Sequence, residues 1–154
     1  SRGPMGDVGH HDVSDHRLEQ RGLLHVPVHW SGTTVHVVGA HFGLVHSSRV
    51  RQVQRLWHYI KTSVPRDEPL AVAGDFNDWG EKLDDPMRKI GLVRAGGGAG
   101  EPLRRLTFPA LVPVFALDRI YLRGLRCRNT MVPRGAAWAR MSDHLPLLAE
   151  LELA

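Results

Sequence analysis

Leu70-Ala71-Val72-Ala73-Gly74-Asp75-Phe76-Asn77 is an apolar run that ends on a carboxylate and a carboxamide. A continuous apolar stretch is how a strand buried on both faces reads. A charge at its mouth costs desolvation unless a metal, a cation or a reacting substrate uses it. Two other stretches share the oddity: Leu117-Asp118-Arg119-Ile120-Tyr121 and Ser142-Asp143-His144-Leu145-Pro146-Leu147. Three polar insertions among buried-type residues predict one shared site, and such a site points to an enzyme.

Upstream, Leu23 to Trp30 and Thr34 to Ala40 read as paired strands joined at Ser31-Gly32-Thr33. Leu24, Val26 and Val28 share one face, with His25, Pro27 and His29 on the other; Pro27 implies an edge strand or a bulge. The second strand closes in Gly39-Ala40-His41-Phe42. His41 is thus either a core residue or, like Asp75, a functional group at a strand end. Ser47 or Ser48 is expected to cap the next helix. Its inward stripe reads Val50, Val53, Trp57, Ile60 and Val64, with Arg51, Gln52, Arg55 and Tyr59 facing away. Val64-Pro65 ends it.

Downstream, the expectation is a short helix over Lys82–Ile90 interrupted by Pro86, a flexible glycine linker at 95–100, and strands at 116–123, 125–132 and 145–153. Residues 1–22 are polar, carry Gly3, Gly6 and Gly9, and read as a loop. Strand, helix, strand and then more strands is the order of a layered α/β protein.

The 154 residues are one domain's worth of chain, and 42% hydrophobic content is enough for a packed core. No stretch approaches the ~18 apolar residues of a membrane span. The lone Cys127 excludes an internal disulfide and a cysteine-rich zinc site. A cytoplasmic monomer is the default expectation. The formal charge of +4 admits a polyanionic partner, but all but three of the 20 basic residues are arginines scattered along the chain. No basic run of the kind that marks nucleic-acid tails is present. His10-His11-Asp12 with Asp15-His16 has metal-ligand residue types, yet reads as solvent-facing loop.

Asp118 alternates in register with Ala116, Ile120 and Leu122, so it sits on an apolar strand face and needs a partner. His144 is the favoured one, because a carboxylate on one ring nitrogen fixes the tautomer and favours the imidazolium. Neighbouring Arg119 is the alternative.

Taken in order, Ala40-His41-Phe42-Gly43-Leu44, Gly74-Asp75-Phe76-Asn77-Asp78, Leu117-Asp118-Arg119-Ile120-Tyr121 and Ser142-Asp143-His144-Leu145-Pro146-Leu147 resemble the endonuclease/exonuclease/phosphatase superfamily. Thr107-Phe108-Pro109 and the opening Asp12-Val13-Ser14-Asp15-His16-Arg17-Leu18-Glu19-Gln20-Arg21-Gly22 resemble its bacterial branch. The resemblance implies an α/β fold: a two-sheet β-sandwich flanked by helices. It also implies hydrolysis of phosphoesters with Mg²⁺ or Mn²⁺, on substrates that range from nucleic acid to phospholipid headgroups. Asp75 is then expected to orient or activate water, Asn77 to hold a phosphoryl oxygen, and His144, paired with Asp118, to stabilise or protonate the phosphate. His41 is expected on the leaving-group side and Asp143 beside the metal.

One departure matters. The family carries an early Asn and a metal-binding Glu on its first strands, and neither motif occurs here. Residues 1–154 are therefore expected to be a single domain lacking its N-terminal part, with an incomplete metal site, inactive and poorly folded on its own. Two alternatives stand beside a general phosphodiesterase or phosphatase: a DNA-repair-type nuclease, and a noncatalytic binding module of the same fold.

Overall fold

The computed structural model describes residues 4–15, 19–96 and 103–154. In chain order its elements are β1 (Gly9–Asp12), β2 (Gly22–Trp30), β3 (Thr33–His41), α1 (His46–Ser63), β4 (Leu70–Asp75), α2 (Asp84–Lys89), β5 (Val93–Arg94), β6 (Asp118–Arg123), β7 (Leu125–Met131), α3 (Ala136–Met141) and β8 (Leu148–Leu153). A six-stranded mixed sheet runs β1-β2-β3-β4-β6-β5, and β7 pairs with β8 in a second sheet. The two-sheet α/β architecture is the one expected.

The apolar run becomes the centre of the large sheet. β4 lies parallel to β3 and antiparallel to β6, and Leu70, Ala71 and Val72 are all buried. Parallel neighbours need a crossover, and α1 supplies it. Val53, Leu56 and Ile60 of α1 pack on Leu23, Val38, Val72 and Tyr121. Burying a side chain such as Leu56 or Ile60 is worth roughly 1.5–3 kcal/mol. On the other face, Val35, Ala71 and Leu122 meet Leu125, Cys127 and Leu151 of the small sheet.

Several expectations need correction. The opening segment contains β1, pairing Gly9 with His25 and Asp12 with Gly22. Its ladder slips by one residue before Met5 bridges Val28, and Pro27, which has no N–H to donate, falls in that slip. The face of β2 that meets α1 carries Leu23 and His25, whereas Leu24 is exposed. A histidine is tolerated there because its ring is hydrogen-bonded on both sides, to Tyr59 and His36.

Neither Ser47 nor Ser48 caps α1. Val45 is its N-cap, and Ser48 Oγ donates to Asp15 Oδ2 at 2.7 Å. Gln52 faces inward, where its Oε1 accepts the Gly43 N–H. Pro86 lies in the first turn of α2 and so does not interrupt it, since no helical donor is lost there. The glycine linker falls mostly at 97–100, outside the described residues, as does His16 of the opening histidine cluster.

Candidate active site

One end of the large sheet gathers the polar strand tips. His41 pairs with Asp75 across β3 and β4, and Asp75 pairs with Asp118 across β4 and β6. Three adjacent strands thus present an imidazole and two carboxylates at one level. His41 Nε2 lies 3.6 Å from Asp75 Oδ2. Opposed residues hold their Cβ atoms about 5 Å apart, where two carboxylates repel by about 3 kcal/mol at an effective dielectric of ~20. Charge of the opposite sign is favoured at this end.

Local sequence holds Asp75 in place. Gly74 has a φ of +149°, and a Cβ there would meet the Ala40 carbonyl oxygen at 1.9 Å. Only glycine lets β4 approach β3 so closely. Asp75 Oδ1 accepts the Asn77 backbone N–H at 2.8 Å, closing a turn through a side chain. Phe76 is fully buried, edge-on to Phe42 and Tyr121. Asn77 takes a φ of +48°, a conformation asparagine visits more readily than most residues. Its Nδ2 donates to the Phe42 carbonyl at 2.9 Å, which uses one of its two amide hydrogens.

His144 arrives from the C-terminal segment. The Leu145 N–H donates to the Thr107 carbonyl, and the Ala110 N–H to the Asp143 carbonyl. His144 Nδ1 stands 2.7 Å from Asp118 Oδ2, and Phe108 packs against the ring at 4.7 Å. Burial pushes the imidazole pKa down, but the Asp118 hydrogen bond and charge, with the charges of Asp75 and Asp143, outweigh it and raise the value. The ring keeps its proton to higher pH than a free histidine. Asp143 is exposed and close enough to take part in this field. His144, and not Arg119, is the partner of Asp118, as the sequence pattern leads one to expect.

Arg119 does something the sequence reading missed. It points to the other face of β6, where Nη1 meets Asp78 Oδ2 at 2.7 Å and Nη2 donates to the Asp78 carbonyl at 3.0 Å. Both side chains are fully buried. The Leu83 N–H also donates to Asp78 Oδ2, and Tyr121 Oη to Asp84 Oδ1. The loop after Asn77 is therefore fixed by a buried ion pair. The only signal for it was parity: Arg119 is one residue out of phase with Asp118.

Among the described residues the opening histidines form no metal centre. His11 stacks on Tyr59, and Asp15 binds Ser48 and Arg51. Asp75 and Asp143 are hard oxygen donors of the type Mg²⁺ or Mn²⁺ takes. Yet among the described residues no three acidic, histidine or cysteine side chains converge to hold a metal ion. The donors suit such an ion in kind, but those described do not enclose one by themselves.

A mixed sheet with carboxylate and imidazole tips gathered at one end is backed by a second sheet. The model of the Endonuclease/Exonuclease/phosphatase family matches residues 2–144, and the chain belongs to that family. It is 36% identical over 157 residues to the Escherichia coli protein YbhP, covering 99% of this chain and 61% of that protein. The chain thus spans about three fifths of that relative's length. A UPF0294 protein of Vibrio campbellii is 33% identical over 90 residues, covering 55% of this chain and 28% of its own.

Among solved structures, an endonuclease/exonuclease/phosphatase from Bacteroides vulgatus superposes with a TM-score of 0.78 at 21% identity, covering 96% of this chain and 65% of that one. A mannosyl-6-phosphatase from Bacteroides thetaiotaomicron gives 0.75 at 16% identity, covering 97% and 67%. D. rerio TDP2, solved with a single-strand DNA product, gives 0.72 at 19% identity, covering 96% and 68%. These likenesses establish the fold.

Proposed function

We propose that the protein hydrolyses phosphoesters, as a phosphodiesterase or phosphatase, by attack of water on phosphorus. The observation that carries this is the common level of His41, Asp75 and Asp118 at the sheet end, with His144 bonded to Asp118. Phosphoesters resist hydrolysis because their anionic oxygens repel the nucleophile, so donors and cations must offset that charge.

In this reading Asp75 orients the water and takes its proton as the new oxygen–phosphorus bond forms. Asn77 offers its second amide hydrogen to a phosphoryl oxygen. His144, kept protonated by Asp118, donates to another. His41 gives a proton to the departing oxygen as the ester bond breaks. Positioned acid and base groups are each worth typically ~10²–10⁴-fold.

Mg²⁺ or Mn²⁺ dependence is part of the proposal, with Asp143 beside the ion and further donors needed to complete its shell. Activity is therefore assigned to a protein of the relatives' full length, and the 154-residue chain alone is expected to be inactive. In the longer protein, Asp75→Asn and His144→Ala should each lower kcat/KM on bis(p-nitrophenyl) phosphate by about 10²–10⁴-fold, with the thermal midpoint nearly unchanged. Unaltered turnover in either variant refutes the assignment. EDTA should abolish wild-type turnover, and robust turnover by the 154-residue chain would show that no further donors are needed.

A further inference from the structure

We propose that the apolar hairpin tip at 111–114, together with α3, seats the protein on an anionic lipid surface, so that the phosphoester presented to the site is carried by a lipid. The surface stands on its own geometry, while its link to chemistry rests on the phosphoester reading above.

The hairpin is built at its base and bare at its tip. Phe108 and Phe115 exchange backbone N–H···O bonds, and both rings pack edge-on to Trp79. Phe108 also covers the His144 ring. Beyond that base, Leu111 is 83% exposed, Val112 69% and Val114 49%. A contiguous exposed apolar group of this kind marks an interaction site.

α3 adds to the same rim. The Ala110 N–H bonds the Asp143 carbonyl, two residues past the end of α3, which ties the hairpin to that helix. Trp138 and Met141 of α3 line, with Asp118 and His144, a cavity of about 550 Å³. Met141 is 76% exposed. Arg140 in the helix and Arg134 just before it are also exposed, with no ion pair to either among the described residues.

Aliphatic tip, tryptophan and arginine in one rim match an interface between water and lipid. The apolar chains enter the acyl boundary, tryptophan sits at headgroup depth, and the cations meet anionic headgroups. The chain's net charge of +4 has the complementary sign. A single nucleic-acid strand is the weaker match, because leucine and valine offer no ring on which a base can stack. Lipid on the rim would present its headgroup phosphate beside the His144 edge of the site.

The test is co-sedimentation of the relatives' full-length form with vesicles of equimolar phosphatidylglycerol and phosphatidylcholine, against pure phosphatidylcholine. Wild type should bind the anionic vesicles and weaken as salt rises. A double variant, Leu111→Ser with Val112→Ser, should lose about tenfold or more of that partition while keeping its circular dichroism and melting profile. Arg134→Gln with Arg140→Gln should lose the preference for anionic vesicles. Wild type that ignores vesicles, or a tip variant that binds like wild type, overturns the proposal. So does tip-dependent binding of a single-stranded oligonucleotide or of a second copy without vesicle binding. Vesicle binding needs no turnover, so failure of His144→Ala to affect hydrolysis in the longer protein would fault the chemistry and leave this surface standing.

Discussion

Gly74, Asp75, Phe76 and Asn77 each meet a different physical demand. Glycine admits the close approach to Ala40, aspartate stands at the strand tip, phenylalanine ties the turn to the core, and asparagine accepts a left-handed backbone. Gly74→Ala must push β3 and β4 apart and should cost about 2–4 kcal/mol in urea denaturation; a loss under about 1 kcal/mol would mean the strands are not so closely apposed. Asp118→Asn should lower the His144 pKa, read by proton–nitrogen NMR of the ring, because its strongest stabilising partner loses its charge. The same pair sets a stability window. The folded value is raised, so the contribution is fully present below the ordinary 6.5 and is lost as pH climbs through the raised value. Parity along 116–122 was enough to place Asp118 on the face that meets His144. Nothing in the sequence around Asp78 announced its burial, because an aspartate following Asn77 reads as ordinary loop.

Elements were legible where apolar periodicity was strong, as in β3, α1 and β4, and illegible where polar contacts decide. β1 reads Gly-His-His-Asp and has no apolar signal; it is a strand because β2 offers it an edge. His25 lies under α1 because it belongs to a hydrogen-bonded row, Tyr59–His25–His36–Glu68, with links of 2.9, 2.7 and 2.5 Å. With both rings neutral, every link is satisfied if Tyr59 Oη donates to His25 Nδ1, His25 Nε2 to His36 Nδ1 and His36 Nε2 to the Glu68 carboxylate.

Burial, then the neighbouring His36, lowers the His25 pKa, so its neutral form supports the fold above about 6.5 and that support is lost as pH falls through the folded value. The melting temperature should therefore fall between about pH 7 and about pH 5, and fall less steeply in His25→Phe. Equal slopes would place the acid sensitivity elsewhere. The loop after β4 obeys the Arg119–Asp78 pair in the same way. Arg119→Met leaves the buried Asp78 with only the more distant Arg49, 3.9 Å away, as counter-charge, and should cost about 3–5 kcal/mol by chemical denaturation; a near-neutral result would show that Arg49 alone compensates the carboxylate.

At the scale of the whole molecule, four short motifs spread from Ala40 to Leu147 meet at one end of the large sheet, three on its inner strands and one in the segment before β8, and that convergence was legible because their order carried it. The rim was not, since the exposure of Leu111 and Val112 depends on a hairpin that composition does not reveal. In the proposed mechanism His41 at the end of β3 and His144 in the segment between α3 and β8 face the same phosphorus. An NMR titration of the relatives' full-length form with orthovanadate, following both ring signals, tests it directly. Both imidazoles should shift along one saturation curve, and Asp75→Asn should alter that curve for both. Separate curves, or a response from only one ring, would contradict a single shared phosphate site.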